Sequence, residues 1–231
     1  MQFSNCKLHS NFSDYYDNYL YLTDDVGAVV FHRNSDDQKN TFEQIEKLKM
    51  AGFLTPTLRQ AGQCAFPYAP SLTKRSGIDY ALFSQNGNVV HYSSEDNIVG
   101  DSESYIADLT FIGDDDLHKR VRYVQVGTKG VFLQACGVAP WPNKTQNEDF
   151  SVVETEVQIP CAQLMHLRSP IFSIDFIPLA DGRLVAVGLN YAPHLASMEI
   201  DKLIPASDAA ERITSALAIS SIQEPIIDQI A

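Results

Sequence analysis

A β-hairpin near the carboxyl end constrains the fold of this 231-residue chain more than any other segment. Two apolar stretches, residues 171–177 and 184–190, flank the pair Asp181-Gly182. Asp-Gly is the preferred pair for a tight type I′ turn between antiparallel strands. We therefore predict two paired strands joined by a two-residue turn, which places Asp175 opposite Gly188.

In this register the two faces of the hairpin differ in character. Side chains alternate between faces along a strand, so one face holds a polar set: Ser173, Asp175, Gly188 and Asn190. The other face is the core side and carries Phe172, Ile174, Phe176, Val185, Val187 and Leu189. Carboxylate and carboxamide oxygens suit Mg²⁺, so Asp175 and Asn190 are candidate metal ligands. The alternative is a solvated hairpin face with an incidental Asp and Asn, and the spacing by itself favours that alternative.

The charge of the chain limits its partners. Lysine and arginine number 17 against 29 acidic residues, which gives a formal net charge of −12. Such a surface repels phosphate backbones, so we expect neither nucleic acid nor an anionic membrane as the main partner. The apolar stretches fall far short of the ~20 residues that a membrane-spanning helix needs, and the first residues lack a secretory-signal pattern. We expect a cytoplasmic protein, with a homo-oligomer left open.

The rest of the chain combines short strands with few helices, which is typical of an α+β or α/β domain. Thr41 and Gln44 stand at capping-box spacing, apolar residues follow at helical spacing, and Gly52 predicts the end of that helix. Residues 85–87 and 127–130 predict two further hairpin turns. The remaining predicted strands are 26–32, 79–83, 88–92, 120–126, 131–137 and 150–157, and the other predicted helices are 161–168 and one that begins at Ser207 or Asp208.

Three segments resemble the ATP-grasp domain, and they occur in the same order. Residues 169–195 resemble the end of that domain, where a strand with an aspartate is followed by a turn and a Glu-x-Asn strand that leads to a proline. Asp175, Asn190 and Pro193 match that pattern. Residues 39–57 are similar to the family's helix–Gly–extended segment, and residues 122–137 to one of its hairpins. The resemblance therefore runs colinearly from about residue 35 to the last residue.

The resemblance implies an α+β, ATP-grasp-like fold with two β-rich lobes, accompanying helices and a short amino-terminal α/β segment. Accordingly, we expect residues 1–35 to form a reduced amino-terminal segment and residues 36–231 to form the ATP-grasp-like domain. The amino-terminal SDYYD segment and Trp141-Pro142-Asn143 are similar to small ATP-grasp-like proteins carried by phages and bacteria. A phage-encoded protein would have the virion as its expected location.

The activity that the resemblance implies is ATP-driven ligation, in which ATP phosphorylates a carboxylate and an amine attacks the acyl phosphate. Mg²⁺ and cationic side chains neutralise the charge in such a reaction. Asp175 and Asn190 would be the metal ligands. Four cationic residues are candidates for binding the cofactor: Lys74, Arg120, Arg122 and Lys129. The expected partners are ATP and a small carboxylate, or else a protein partner, and no catalytic residue is assigned.

The chain also departs from the family pattern. Gly188 stands where the family has the glutamate of Glu-x-Asn, and Ser173 stands where some members carry an arginine. No lysine occurs in residues 78–118, where the family places lysines that contact the nucleotide. We therefore expect a catalytically degenerate protein that serves as a binding or assembly module without ATP or Mg²⁺. The alternative is an active, divergent carboxylate–amine ligase that depends on ATP and Mg²⁺.

Two other groups of side chains are weaker candidates for a site. Residues 114–116 are three consecutive aspartates close to His118 and could hold a cation, although such a charged loop is more often solvated. Cys161 and His166 could form a nucleophile pair only if the fold brings them together. The four cysteines contain no CxxC pair, which predicts reduced thiols and neither a disulfide nor a zinc site: Cys6, Cys64, Cys136 and Cys161.

Overall fold

The computed structural model describes residues 19–23, 28–32, 41–61, 79–84, 89–93, 98, 100, 103–136, 141, 149–152, 158–167, 169, 171–191 and 193. The strands of this part are β1 (Tyr19–Thr23), β2 (Ala28–His32), β3 (Thr57–Gln60), β4 (Tyr80–Phe83), β5 (Val89–Tyr92), β6 (Tyr105–Asp108), β7 (Arg120–Val126), β8 (Lys129–Cys136), β9 (Asp149–Val152), β10 (Ile171–Pro178) and β11 (Leu184–Asn190). Its helices are α1 (Thr41–Met50) and α2 (Cys161–His166), with a 3₁₀ turn at Asp116–His118. Neither of these helices combines the length and the hydropathy that a bilayer crossing requires.

The strands form three antiparallel sheets. A four-stranded sheet has the order β3-β6-β4-β5, a five-stranded sheet has the order β11-β10-β7-β8-β9, and β1 pairs with β2. Two larger sheets accompanied by few helices make an α+β architecture, so the predicted fold class is confirmed.

Most of the predicted elements are present among the described residues. The strands β4 and β5 pair as predicted, and α2 begins at the predicted residue. The β7–β8 hairpin also forms, but its turn is shorter than the predicted residues 127–130, because Val126 pairs with Lys129. β1, β3 and β6 are strands that the sequence analysis missed. β6 is only four residues long, and its partners β3 and β4 are distant in the sequence, so a local pattern could not reveal it. The helix predicted from Ser207 or Asp208 lies outside the described residues.

Helix α1 ends as its sequence predicts. Gly52 adopts a left-handed conformation with φ of 85°, which glycine reaches without a steric penalty. Its N–H donates to the carbonyl oxygen of Lys49 at 2.9 Å, and the N–H of Phe53 donates to the carbonyl oxygen of Leu48 at 3.0 Å. These two bonds form a Schellman motif, which satisfies carbonyl groups at the end of the helix. The chain then turns toward the five-stranded sheet, where the N–H of Ala186 donates to the carbonyl oxygen of Leu54 at 2.7 Å.

Two apolar clusters hold the described parts together. The inter-sheet cluster combines residues of both larger sheets with Trp141, and its members include Ala81, Ala107, Leu117, Ile177, Val185 and Val187. The second cluster joins α1 to the five-stranded sheet through Leu48, Ala51, Phe172, Ile174, Phe176, Ala186 and Leu189. Since burial of apolar area is the main favourable term in folding, these clusters fix how the sheets and α1 pack.

The β10–β11 hairpin confirms the predicted pairing but not the predicted turn. Asp175 pairs with Gly188, and Ser173 pairs with Asn190, as expected. The two-residue turn is wrong, because the N–H of Leu179 donates to the carbonyl oxygen of Arg183 at 2.8 Å and leaves residues 180–182 in the loop. Three-residue hairpin loops favour a left-handed residue in the loop, often glycine, and here φ of residue 182 is 86°.

A β-bulge cancels the additional loop residue. The register shifts between Asp175 and Phe176, so that Phe176 pairs with Ala186 and Val187 is the extra residue. Val185 and Val187 consequently pack in the inter-sheet cluster, whereas Ala186 packs in the cluster of Phe176. The prediction that Val185 and Val187 share the face of Phe176 is therefore wrong.

Two glycines of the five-stranded sheet offer a matched pair of substitutions. A Cβ added at Gly130 would overlap the ring of the buried Tyr123, and overpacking costs about 1–3 kcal/mol. We expect Gly130→Ala to lower the free energy of unfolding by that amount. A Cβ added at Gly188 would lie 3.5 Å from Asp175, an ordinary contact, so Gly188→Ala should change stability by less than about 1 kcal/mol. Urea denaturation of the two variants checks this, and equal losses would contradict it.

His91 on β5 favours the neutral form in the folded protein. Its Nε2 atom is buried and makes no hydrogen bond to a described residue. Burial lowers the pKa of the imidazole below its ordinary value of 6.5, and a hydrogen bond with the backbone of Trp141 opposes this to a smaller extent. The imidazole therefore binds protons less readily in the folded state than in the unfolded state.

This difference makes the contribution of His91 depend on pH. The free energy of unfolding rises with pH wherever the unfolded state binds more protons. The contribution should be complete above pH 6.5 and should be lost as the pH falls through the lower pKa of the folded state. We expect the wild type to lose stability relative to His91→Gln when urea denaturation is repeated from about pH 7.5 down to about pH 4.5. A constant difference between the two proteins would contradict this assignment.

Candidate polar site on the five-stranded sheet

Asp175 lies on β10, the strand that pairs with β7 on one side and with β11 on the other. Its direct neighbours across the strands are Arg122 and Gly188. Directly opposite residues of antiparallel strands share one face, so these three positions form a row on the sheet. Asp175 is the single charged residue of β10, so the charge of that strand lies at this position.

Arg122 binds both carboxylate oxygens of Asp175. Its Nε donates to Oδ1 at 2.6 Å, and its Nη2 donates to Oδ2 at 3.0 Å. The two side chains are 23% and 20% exposed, so the pair is partly shielded from water. Bidentate, charge-assisted pairs of this kind are stronger than neutral hydrogen bonds. The predicted metal ligand is thus bound by a residue that was predicted to contact the cofactor.

Asn190, the other predicted metal ligand, lies on the same face as Asp175. It is the cross-strand partner of Ser173, which is itself buried. Asp175 and Asn190 are therefore diagonal neighbours, with a Cα–Cα distance of roughly 7–8 Å. The structure brings the two predicted ligands to one face of the sheet, but not directly opposite each other.

Of the four residues predicted to bind the cofactor, the structure describes Arg120, Arg122 and Lys129, and these three do not converge. Arg120 lies two residues before Arg122 on the same face of β7, and it is only 4% exposed. Lys129 pairs with Val126 at the far end of the β7–β8 hairpin, four residues from Arg122 and hence about 13 Å along the strand. Lys74 lies outside the described residues. Among the three described cations, Arg122 and Arg120 therefore lie in the neighbourhood of Asp175 and Lys129 does not.

These residues do not supply the donor set of a Mg²⁺ site. Mg²⁺ requires near-octahedral oxygen ligation, which usually includes one or two carboxylates. Both oxygens of Asp175 accept hydrogen bonds from Arg122, Gly188 has no side-chain donor, and Asn190 offers a neutral amide. Within the described ranges, no three His, Cys, Asp or Glu side chains lie close enough together to hold a metal ion.

The weaker candidates do not come together as sites within the described residues. Asp116 is buried in its 3₁₀ turn, where its Oδ1 accepts a hydrogen bond from the Nζ of Lys119 at 2.6 Å. Cys161 and His166 are both exposed and stand at opposite ends of α2. Five residues correspond to about 140° around a helix axis, so these two side chains leave α2 in different directions.

Sequence reasoning missed the pairing of Arg122 with Asp175. The two residues are separated by 53 positions, and the pairing of β7 with β10 that joins them has no local signal. One signal was available, because Asp175 is the one charge in an apolar strand and such a charge usually has a partner. That signal does not distinguish Arg122 from Arg120, since both lie on β7.

The strength of this pair can be measured by a double-mutant cycle. We expect Arg122→Ala and Asp175→Ala to show a coupling free energy of about 1–3 kcal/mol, because each single substitution leaves a partly buried charge without its partner. Urea denaturation of the wild type, both single variants and the double variant gives this coupling.

A second Arg–Asp pair on the same hairpin provides the control. Arg183 Nε lies 2.7 Å from Asp181 Oδ2, but these side chains are 60% and 53% exposed. Exposed pairs contribute little, so the same cycle on Arg183 and Asp181 should give less than about 1 kcal/mol. Equal coupling for the two pairs would show that shielding from water does not strengthen the Arg122–Asp175 pair.

Comparisons with known proteins identify similar structures but no similar sequences. No protein-family model and no curated protein sequence matches the chain. An ADP complex of N5-carboxyaminoimidazole ribonucleotide synthetase is similar with a TM-score of 0.51 at 12% identity, over 78% of this chain and 52% of that one. The ATP-grasp ligase PsnB, complexed with Mg and ADP, gives 0.48 at 13% identity, over 78% of this chain and 60% of that one. D-alanine–D-alanine ligase from Bacillus anthracis, complexed with ATP, gives 0.44 at 15% identity, over 77% of this chain and 65% of that one. The chain thus spans about half to two thirds of these proteins.

Proposed function

We propose that this chain, which has an ATP-grasp-like fold, is a catalytically degenerate protein that uses the fold as a binding or assembly module. The observation that carries the proposal is the bidentate pair between Arg122 and Asp175. The fold relationship alone says nothing about catalysis, so the proposal depends on the residues of the polar face. The phage association expected from the sequence stays a prediction.

The Arg122–Asp175 pair argues against ligase chemistry at this face. Metal-assisted phosphoryl transfer needs a cation that bridges phosphate oxygens and neutralises their developing charge. If Asp175 were to ligate that cation, its two hydrogen bonds to Arg122 would have to break. That loss would leave a guanidinium only 23% exposed beside a divalent cation, which is electrostatically unfavourable.

The neighbouring positions support the same conclusion. Gly188 provides no carboxylate next to Asp175, and Ser173 provides no cation. An ATP-grasp-like site would carry two acidic ligands. This face has one, Asp175, and its charge is balanced by Arg122. A binding surface does not need those ligands, so the fold can persist without them.

A second candidate function is the active carboxylate–amine ligase. One observation favours it: Asp175 and Asn190 share a face, and Arg120 is buried on the same face of β7. A buried guanidinium close to a carboxylate and an amide is a suitable arrangement for a phosphorylated ligand. This candidate requires that Mg·ATP bind and that Asp175 take part.

Thermal unfolding with Mg·ATP separates the two functions. A ligand at 100 times its Kd stabilises a protein by about 2.7 kcal/mol, which for a chain of this size raises Tm by about 5–11 °C. For a degenerate protein we expect no change of Tm at millimolar Mg·ATP. The active ligase predicts a rise in Tm that Asp175→Asn or Asn190→Ala abolishes.

Asp181→Asn is the matched control, since it makes the same charge change on the same hairpin at an exposed position. A Tm rise that persists in Asp181→Asn but disappears in Asp175→Asn would contradict the degenerate function. A Tm rise that no variant at the polar face affects would place nucleotide binding elsewhere on the protein, and it would leave Asp175 outside any ligase mechanism.

A further inference from the structure

We infer that the guanidinium of Arg122 takes the place of a divalent cation at Asp175, so that this face of the sheet excludes Mg²⁺ and carries a built-in positive charge instead. The inference deepens the proposed function and rests on it for one point, the equivalence of Asp175 with the metal-binding aspartate of the ATP-grasp pattern. It assigns Arg122 the role of a residue that determines cation specificity.

The hydrogen-bond geometry is the first argument. A carboxylate that ligates Mg²⁺ must present at least one oxygen to the ion at 2.0–2.1 Å. Oδ1 and Oδ2 of Asp175 accept from Nε and Nη2 of Arg122 at 2.6 and 3.0 Å. The guanidinium thus lies against the oxygen edge that an ion would approach. Arginine is suited to this because its planar fork matches a carboxylate, whereas lysine offers a point charge.

The backbone pairing is the second argument, because it fixes the two positions from which these side chains extend. Arg122 and Asp175 are direct partners in adjacent antiparallel strands, so their side chains leave the sheet side by side. Both residues lie within strands and not in loops, and each strand has a further partner on its other side. The positive charge beside Asp175 is therefore supplied by a residue of the sheet itself, the guanidinium of Arg122.

The position of Gly188 shows that the lost acidic ligand could be restored. A Cβ built on Gly188 would lie 3.5 Å from Oδ2 and 3.5 Å from Cβ of Asp175, which are ordinary contacts. A glutamate at this position would add a second carboxylate beside Asp175 without a backbone clash. If a neutral residue also replaced Arg122, this face would carry two carboxylates and the amide of Asn190. Oxygen ligands of this kind are usual for a divalent cation.

The experiment uses Mn²⁺ alone as the probe, detected by electron paramagnetic resonance and titration calorimetry without nucleotide. We expect no saturable Mn²⁺ binding to the wild type at concentrations up to about 1 mM. The double variant Arg122→Gln/Gly188→Glu should bind Mn²⁺ saturably with a Kd of about 0.1–1 mM, the range of weak oxygen-ligand sites. Adding Asp175→Asn to the double variant should abolish the gained binding.

Three further variants are controls for the role of Arg122, and the comparison of the wild type with Asp175→Asn tests the inference even if the double variant is unstable. Gly188→Glu alone keeps Arg122 and should gain no saturable site. Arg122→Lys/Gly188→Glu keeps the charge and should bind Mn²⁺ at least tenfold more weakly than the double variant. Arg183→Gln/Gly188→Glu removes an exposed arginine from the same hairpin and should behave like Gly188→Glu alone. Urea denaturation verifies that each protein is folded.

Two results would overturn the inference: saturable Mn²⁺ binding to the wild type that Asp175→Asn removes, or equally tight binding to Gly188→Glu with and without Arg122. Neither result decides whether the protein turns over ATP, which the Tm measurements with Mg·ATP address separately. Conversely, ATP could raise Tm equally in Mg²⁺ and in EDTA, and Asp175→Asn could abolish that rise. This result would contradict the degenerate function but would leave this inference intact.

Discussion

The pairing of β10 between β7 and β11 is the interaction on which the described structure depends. It places Asp175 between Arg122 and Gly188, and so determines the chemistry of the polar face. The same strand contributes Phe172, Ile174 and Phe176 to the cluster under α1 and contributes Ile177 to the inter-sheet cluster. One central strand thus carries Asp175 and Ile177 on one face and the residues of the cluster under α1 on the other.

Elements with local signals could be predicted from the sequence. The end of α1 follows from Gly52, whose left-handed conformation few other residues adopt, and the two hairpins β4–β5 and β7–β8 follow from turn residues between apolar runs. β6 could not be predicted, because four residues carry too little pattern and the strands that stabilise it are remote in the sequence. The ion pair at Asp175 was missed for the same physical reason, since it depends on a strand pairing across 53 residues.

The polar face itself was predicted correctly through two errors that compensate. The turn has one residue more than the Asp-Gly pair suggested, and the bulge at Val187 removes that residue again before the strands reach Asp175. Between the turn and the bulge the side chains of β11 therefore lie on the face opposite to the predicted one, whereas those of β10 lie on the predicted face. Alternation along a strand is reliable only while the register is continuous, and no sequence signal marked the position where it breaks.

The compensation between loop and bulge has a consequence for how this hairpin can change length. The loop residues 180–182 lie beyond the hydrogen bond between Leu179 and Arg183, so a loop of another length leaves the pairs of β10 and β11 unchanged. Removing Val187 would join the Phe176–Ala186 and Asp175–Gly188 pairs into one continuous register and would leave Asn190 on its present face. The hairpin can therefore change length at its loop or at Val187 while Asp175 keeps its place opposite Gly188 and Arg122.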